Sequence, residues 1–208
     1  MIKISAIFIF FFYSNFLLAQ TDIVRNYYSD GILKEEGVFM KGQKSGEWFY
    51  FYQNGNRNAI ENYRDGRLHG EIRYYYPNGS LQGKETWSNG MLLDSAFYFY
   101  QNGKMEKKGI YRGGQYAGRW EFYYEDGSFF RYVQYVAGLP DGKTEVFSKE
   151  GFKIQEGFYK DGVESGEWKF FNENGSLELS GFFTEGVRSG VWFKYDKKGN
   201  KRIMRMKN

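Results

Sequence analysis

The sequence predicts an all-β protein: an elongated antiparallel meander of about seven to eight β-hairpin repeats, each 24 residues long. Three observations predict it. Glycine returns at a fixed interval in three registers, aromatic residues keep the same interval, and no window holds a helical apolar period. The first register is Gly31, Gly55, Gly79, Gly103, Gly127, Gly151, Gly175 and Gly199. A second runs Gly42, Gly66, Gly90, Gly114, Gly138, Gly162 and Gly186. The third is Gly46, Gly70, Gly118, Gly142, Gly166 and Gly190, with Asp94 where a glycine is due. No insertion or deletion interrupts them. Glycine inside a helix costs about 1 kcal/mol against alanine, so punctuation this dense rules out long helices.

Taken from the N-terminus, the first element is a leader. Lys3 precedes the apolar run "ISAIFIFFFYSNFLLA", and Ala19 offers a small residue for cleavage. Residues 1–19 are therefore expected to be a secretory signal peptide. The run is shorter than the roughly 20 apolar residues of a spanning helix, so no stable membrane span is expected after cleavage. Export to the periplasm, cell envelope or medium follows as the expected localisation. The remainder, 20–208, is read as one repeat domain, with registered units from about 25 to 200 and a truncated last unit. With no cysteine in 208 residues there is no disulfide, and stability must come from packing.

Within each unit the glycines stand eleven and then thirteen residues apart. Asp-Gly and Asn-Gly pairs such as Asn54-Gly55, Asp65-Gly66, Asn78-Gly79 and Asn89-Gly90 supply the positive φ of hairpin turns. Six to eight residues rich in aromatics lie between the turns and read as strands. In Gly46–Tyr52, Trp48, Tyr50 and Tyr52 face one side of the sheet, and Phe49 and Phe51 the other. Two aromatic columns persist in every unit, beginning at Phe39 and Phe51, and are expected to be core. A looser one begins at Trp48 and passes through Ile72, Ala96 and Thr144. Gly37, Gly109, Gly157 and Gly181 share a column two residues before an aromatic, where a missing side chain lets a neighbouring ring lie over the backbone. Fifteen strands at about 4.8 Å would reach roughly 70 Å. The final segment "YDKKGNKRIMRMKN" is basic, as a charged cap on an edge strand or as a patch for anionic surfaces.

The phrases "DGRLHGEIRYYYPNGSL", "DGVESGEWKFFNENGSLELSG" and "GVRSGVWFKYDKKG" resemble the MORN-repeat variant, whose bacterial members are often labelled YwqK-like antitoxins. The resemblance covers about residues 25–200. It implies a MORN-like single twisted sheet of β-hairpins, with roles in protein or lipid interaction. It brings no catalytic residue. Asp94 departs from the pattern, as does the fifth unit, where Thr144 and Ser148 stand in place of aromatics.

Little in the chain suggests chemistry. Twenty-nine basic against 25 acidic residues is a mild imbalance, without the basic stripe that nucleic acid needs. His69 is the one histidine, placed in the turn "RDGRLHG", and with no cysteine there is no His/Cys metal cluster. Glu47, Glu71 and Glu167 recur at one repeat position, which suits an exposed face better than a unique acid pair. The glycine-rich turns lack the helix and Lys-Ser/Thr of a phosphate loop. No enzyme activity, cofactor or metal is expected. The candidate binding residues are Tyr52, Tyr76, Tyr100 and Tyr124, a tyrosine stripe whose column becomes Ser148, Asn172 and Asp196. The expected partner is a protein. Cell-envelope glycan, anionic lipid or a toxin are the alternatives, and the aromatic rows suit sugar stacking as well as protein contact.

Overall fold

A computed structural model describes residues 21–204. The predicted leader, residues 1–19, lies outside the described residues, as do the last four. The described chain is a single antiparallel sheet in which each strand follows its predecessor. The strands are β1 (Thr21–Tyr27), β2 (Leu33–Met40), β3 (Gln43–Phe51), β4 (Arg57–Arg64), β5 (Arg67–Leu68), β6 (Gly70–Tyr75), β7 (Leu81–Ser88), β8 (Met91–Phe99) and β9 (Met105–Arg112). They continue as β10 (Gln115–Tyr123), β11 (Phe129–Val136), β12 (Leu139–Phe147), β13 (Lys153–Lys160), β14 (Val163–Phe171), β15 (Leu177–Thr184), β16 (Val187–Tyr195) and β17 (Lys201–Met204). β5 and β6 are two halves of one strand, since both pair with β4. β1 pairs only with β2 and β17 only with β16, so among the described residues the sheet is open. Seven hairpin units start at Leu33, Arg57, Leu81, Met105, Phe129, Lys153 and Leu177.

The two glycine spacings correspond to two turn types. At Lys41-Gly42, Asp65-Gly66, Asn89-Gly90, Gly113-Gly114, Ala137-Gly138, Asp161-Gly162 and Glu185-Gly186, both residues have positive φ. This is the two-residue type I′ turn, whose twist matches the strands. At the other end, only the glycine is left-handed. Tyr52 N–H donates to Asn56 O and Gly55 N–H to Tyr52 O, at 2.8 and 2.9 Å, a longer turn closed by a bulge. Here Asn54 serves through its side chain, which accepts the Asn56 amide at 3.0 Å. The Asn-Gly pairs of the Gly55 register thus work differently from those of the Gly66 register.

Each unit also carries a mid-strand bulge. Pairing in the first unit jumps from Glu36↔Phe49 to Val38↔Ser45, leaving Gly46 to Trp48 opposite Gly37. The third glycine register supplies the left-handed residue this bulge needs, and Asp94 adopts the same conformation with φ 64°. His69 lies at the corresponding break between β5 and β6 rather than in the turn itself. Its backbone N–H donates to Asn62 O at 2.8 Å.

Burial corrects the expected core. The column that begins at Trp48 is the buried one: Trp48, Ile72, Ala96, Trp120, Thr144, Trp168 and Trp192 are all at most 2% exposed. The columns at Phe39 and Phe51 are half-buried; the Phe39 column packs against the tryptophans, and the Phe51 column lies with the charged residues of the other face.

Candidate functional site

With no second layer over the sheet among the described residues, each tryptophan is enclosed by its own hairpin and by rings of the adjacent ones. Beneath it runs the glycine of the neighbouring strand. A Cβ on Gly37, Gly109, Gly157 or Gly181 would lie 2.2–2.3 Å from the ring of Trp48, Trp120, Trp168 or Trp192, so no side chain fits there. Beside it stands the aromatic two residues after that glycine. Phe39, Tyr111, Tyr159 and Phe183 meet the four indoles edge-on, with centroids 5.1–5.2 Å apart. Such pairs contribute about 0.5–1.5 kcal/mol beyond area burial. Above three of them lies a lid: Lys44 Nζ over Trp48 at 3.9 Å, the Tyr116 ring stacked on Trp120 at 4.0 Å, and Arg188 over Trp192 at 4.3 Å. The bulge removes a ladder partner from one carbonyl, and the indole N–H replaces it. Trp48, Trp120 and Trp168 donate to Val38, Ile110 and Phe158 O at 3.0–3.2 Å. Trp192 Nε1 is buried without a partner.

Three units lack the tryptophan, and the same three lack the glycine. Ile72 goes with Glu61, Ala96 with Glu85 and Thr144 with Val133. The two glutamates bring carboxylates onto the aromatic face. Tyr63 O–H donates to Glu61 at 2.6 Å, and Tyr98 O–H and Trp87 Nε1–H donate to Glu85 at 2.6 and 2.9 Å. Lys44 donates to Tyr50 at 2.7 Å, and the Tyr50 and Tyr63 hydroxyls are 3.3 Å apart. Burial first, then the bond to Glu61, pushes Tyr63 up to about 12. Burial and the charges of Glu85 and Glu61 likewise raise Tyr74. At neutral pH both phenols stay protonated, and Tyr63 keeps its bond to Glu61.

Tyr52, Tyr76, Tyr100 and Tyr124 have half-buried rings, and each hydroxyl reaches the following unit. They donate to the backbone carbonyls of Tyr75, Phe99, Tyr123 and Phe147 at 2.7–2.9 Å. Tyr28 does the same to Phe51 O at 2.7 Å and belongs to the stripe. The five ring edges remain available for contact, while their hydroxyls tie consecutive hairpins. At the opposite end of the strands, the type I′ turns are tied too. The amides of Gly66, Gly90, Gly114, Gly138, Gly162 and Gly186 each donate to a carbonyl of the preceding unit at 2.8–3.0 Å.

The other face mixes ion pairs with uncovered rings. Lys143, Glu145, Lys153, Glu156, Lys169 and Glu167 form an unbroken chain of contacts across β12, β13 and β14. The bond from Lys143 holds the Glu145 carboxyl below its ordinary value, and the bond from Lys153 does so for Glu156. Glu71 is bound by Arg73 at 2.6 Å and Lys84 at 2.9 Å. Of the recurring acids, Glu71 and Glu167 are thus in ion pairs, and Glu47 is exposed. Beside the chain, Phe158 and Phe182 are 51% and 50% exposed at one repeat position, and pair with Lys143 and Glu167 respectively. The sequence signal for them is faint, because their column reads Val38, Asn62, Thr86, Ile110 and Gln134 before it turns aromatic. Among the described residues no group of acidic or histidine side chains is arranged to hold a metal. No helix among them is long and apolar enough to cross a membrane.

Three stretches of the chain, residues 44–65, 68–89 and 164–185, match the family described as the MORN repeat variant. No curated protein matches the chain. Among solved structures, the crystal structure of TcdB2-TccC3 aligns with 83% of this chain at 11% identity and a TM-score of 0.19. The alignment spans 13% of that chain.

Proposed function

We propose that this chain, with MORN-variant units in at least three places, works as a non-enzymatic, exported protein-binding module that presents its extended aromatic sheet as a docking face. The observation that carries this reading is the pair Phe158 and Phe182, half exposed on a sheet with no covering layer. Large rings left uncovered beside charged neighbours have the composition of an interface centre with a polar rim. The ring edges of Tyr52, Tyr76, Tyr100 and Tyr124 offer a separate row of aromatic contacts along the strand ends. The apolar run before Ala19 supports export.

Capture from native envelope, using the processed chain and a Phe158→Glu/Phe182→Glu variant, tests the reading. A protein retained by the parent and lost by the folded variant supports it. Equal retention by both overturns it, and so does retention of only wall glycan or anionic vesicles.

A further inference from the structure

The tyrosine ties stop partway along the array. From Tyr28 to Tyr124, each ring fills the notch between its own hairpin and the next, and its hydroxyl ends on a backbone carbonyl. In the fifth unit the residue is Ser148, and the adjacent Phe152 ring closes over the next turn, where a Cβ on Gly175 would meet it at 3.4 Å. In the sixth it is Asn172. The Asn172 side chain folds back to accept the Ser176 amide at 2.9 Å and does not reach the next unit. Among the described residues nothing fills the notch. A cavity of about 590 Å³ lies there, walled by Asn172, Leu177 and the strand end around Tyr195. By position in the repeat these match the residues around a tie tyrosine, although Tyr195 pairs with Lys201 without the register shift found beside Phe51, Tyr75, Phe99, Tyr123 and Phe147. Among the described residues no tyrosine hydroxyl claims the Tyr195 carbonyl, as one does Tyr75, Phe99, Tyr123 and Phe147.

The rim has a definite charge. Lys194, Lys197, Lys201 and Arg202 line the cavity with Glu178 and Asp196, a balance of four positive against two negative. Glu178 contacts Lys194 at 3.9 Å. The Asp196 carboxylate accepts the amides of Lys198 and Asn200 at 2.8–2.9 Å, and the Asn200 bonds hold it below its ordinary value. Lys197, Lys201 and Arg202 have no carboxylate within 4.0 Å among the described residues. We infer that this notch is a binding site for a phenol that carries an anionic group. The ring takes the place of the absent tyrosine, its hydroxyl donates to the Tyr195 carbonyl, and its anion meets Lys197, Lys201 and Arg202, of which Lys201 also lies over the Phe193 ring at 4.7 Å. The basic segment at the C-terminal end thereby has a role besides protecting an edge.

Two ligand sources share this chemistry: a free phenolic acid and a tyrosine in an acidic peptide. The test titrates the processed protein, followed by amide chemical shifts, with 4-hydroxyphenylacetate, tyramine, the peptide Glu-Glu-Tyr-Glu-Glu and its Tyr→Phe counterpart. Asn172→Tyr is the decisive variant, because it restores the repeat residue and should fold at least as well as the parent. The expected result is saturable shifts at Asn172, Tyr195 and Arg202 with 4-hydroxyphenylacetate, at roughly millimolar affinity. Tyramine, its cationic analogue, and Asn172→Tyr should both bind at least about tenfold more weakly. Tighter binding of the tyrosine peptide than of the small acid assigns the site to a partner side chain, and the reverse assigns it to a metabolite. Undiminished binding by Asn172→Tyr, equal binding of tyramine, or no saturable shift with either source overturns the site.

Discussion

At the scale of single residues, the fold rests on a volume exchange between two positions. A tryptophan at the bulge requires a glycine opposite it, and a smaller residue there admits Glu61, Glu85 or Val133. Gly157→Ala should therefore cost about 3 kcal/mol in denaturant unfolding, by forcing Trp168 from its seat. In a Trp168→Ala background the same change should cost less than about 1 kcal/mol, because nothing remains to collide. Equal costs in both backgrounds would refute the exchange. Asp94 gives a second case. It is the one non-glycine residue in its register, held at φ 64°, and Asp94→Gly should raise stability by up to about 1 kcal/mol. The glycine column was legible in the sequence, as was its purpose of admitting a ring. That the looser tryptophan column would be the buried one was not. Constancy of residue type marks Phe39 and Phe51, whereas burial follows from the bulge, whose register is a backbone property.

At the scale of elements, the hairpins and their turns were readable because Asn-Gly and Asp-Gly carry their backbone conformation with them. Ala137 shows the same turn without a suitable residue. Its φ of 48° is strained for alanine, so Ala137→Asn should stabilise the β11–β12 hairpin by about 1 kcal/mol in thermal or chemical melts. The tyrosine stripe was legible as a stripe, but its bonds were not, since the acceptors are carbonyls 23 residues away and carbonyls look alike in every residue. Tyr52→Phe should cost about 1 kcal/mol, the ordinary worth of one such bond. The strands also set the pH range of the fold. Glu145 and Glu156 titrate lower folded than unfolded, so their contribution is present above the ordinary glutamate value near 4.3 and is lost as pH falls through the folded values. Tyr63 is shifted the other way. Its contribution holds below the ordinary tyrosine value near 10 and is lost as pH rises through about 12. Melting temperature should thus be level between these limits and drop beyond each, the alkaline drop shrinking in Tyr63→Phe.

At the scale of the whole molecule, contacts join neighbouring hairpins, so stability should behave as a sum over units and their interfaces. Excising residues 129–152, one complete period, should leave a folded β protein with a smaller denaturant m-value, measured by circular dichroism during unfolding. Loss of all structure would show that the units are not interchangeable. The array was legible end to end because 24-residue periodicity survives every local substitution. The notch at Asn172 was not, since an asparagine in a variable column gives no hint of the space it leaves. The seams of tyrosine run from the first hairpin to the fifth and then cease. Stretched between its two ends in an optical trap, the molecule should accordingly rip in steps that begin at the carboxyl terminus. The later, tyrosine-stitched steps should need the greater force, so that the amino-terminal half acts as the anchor and the other half as the part that gives way.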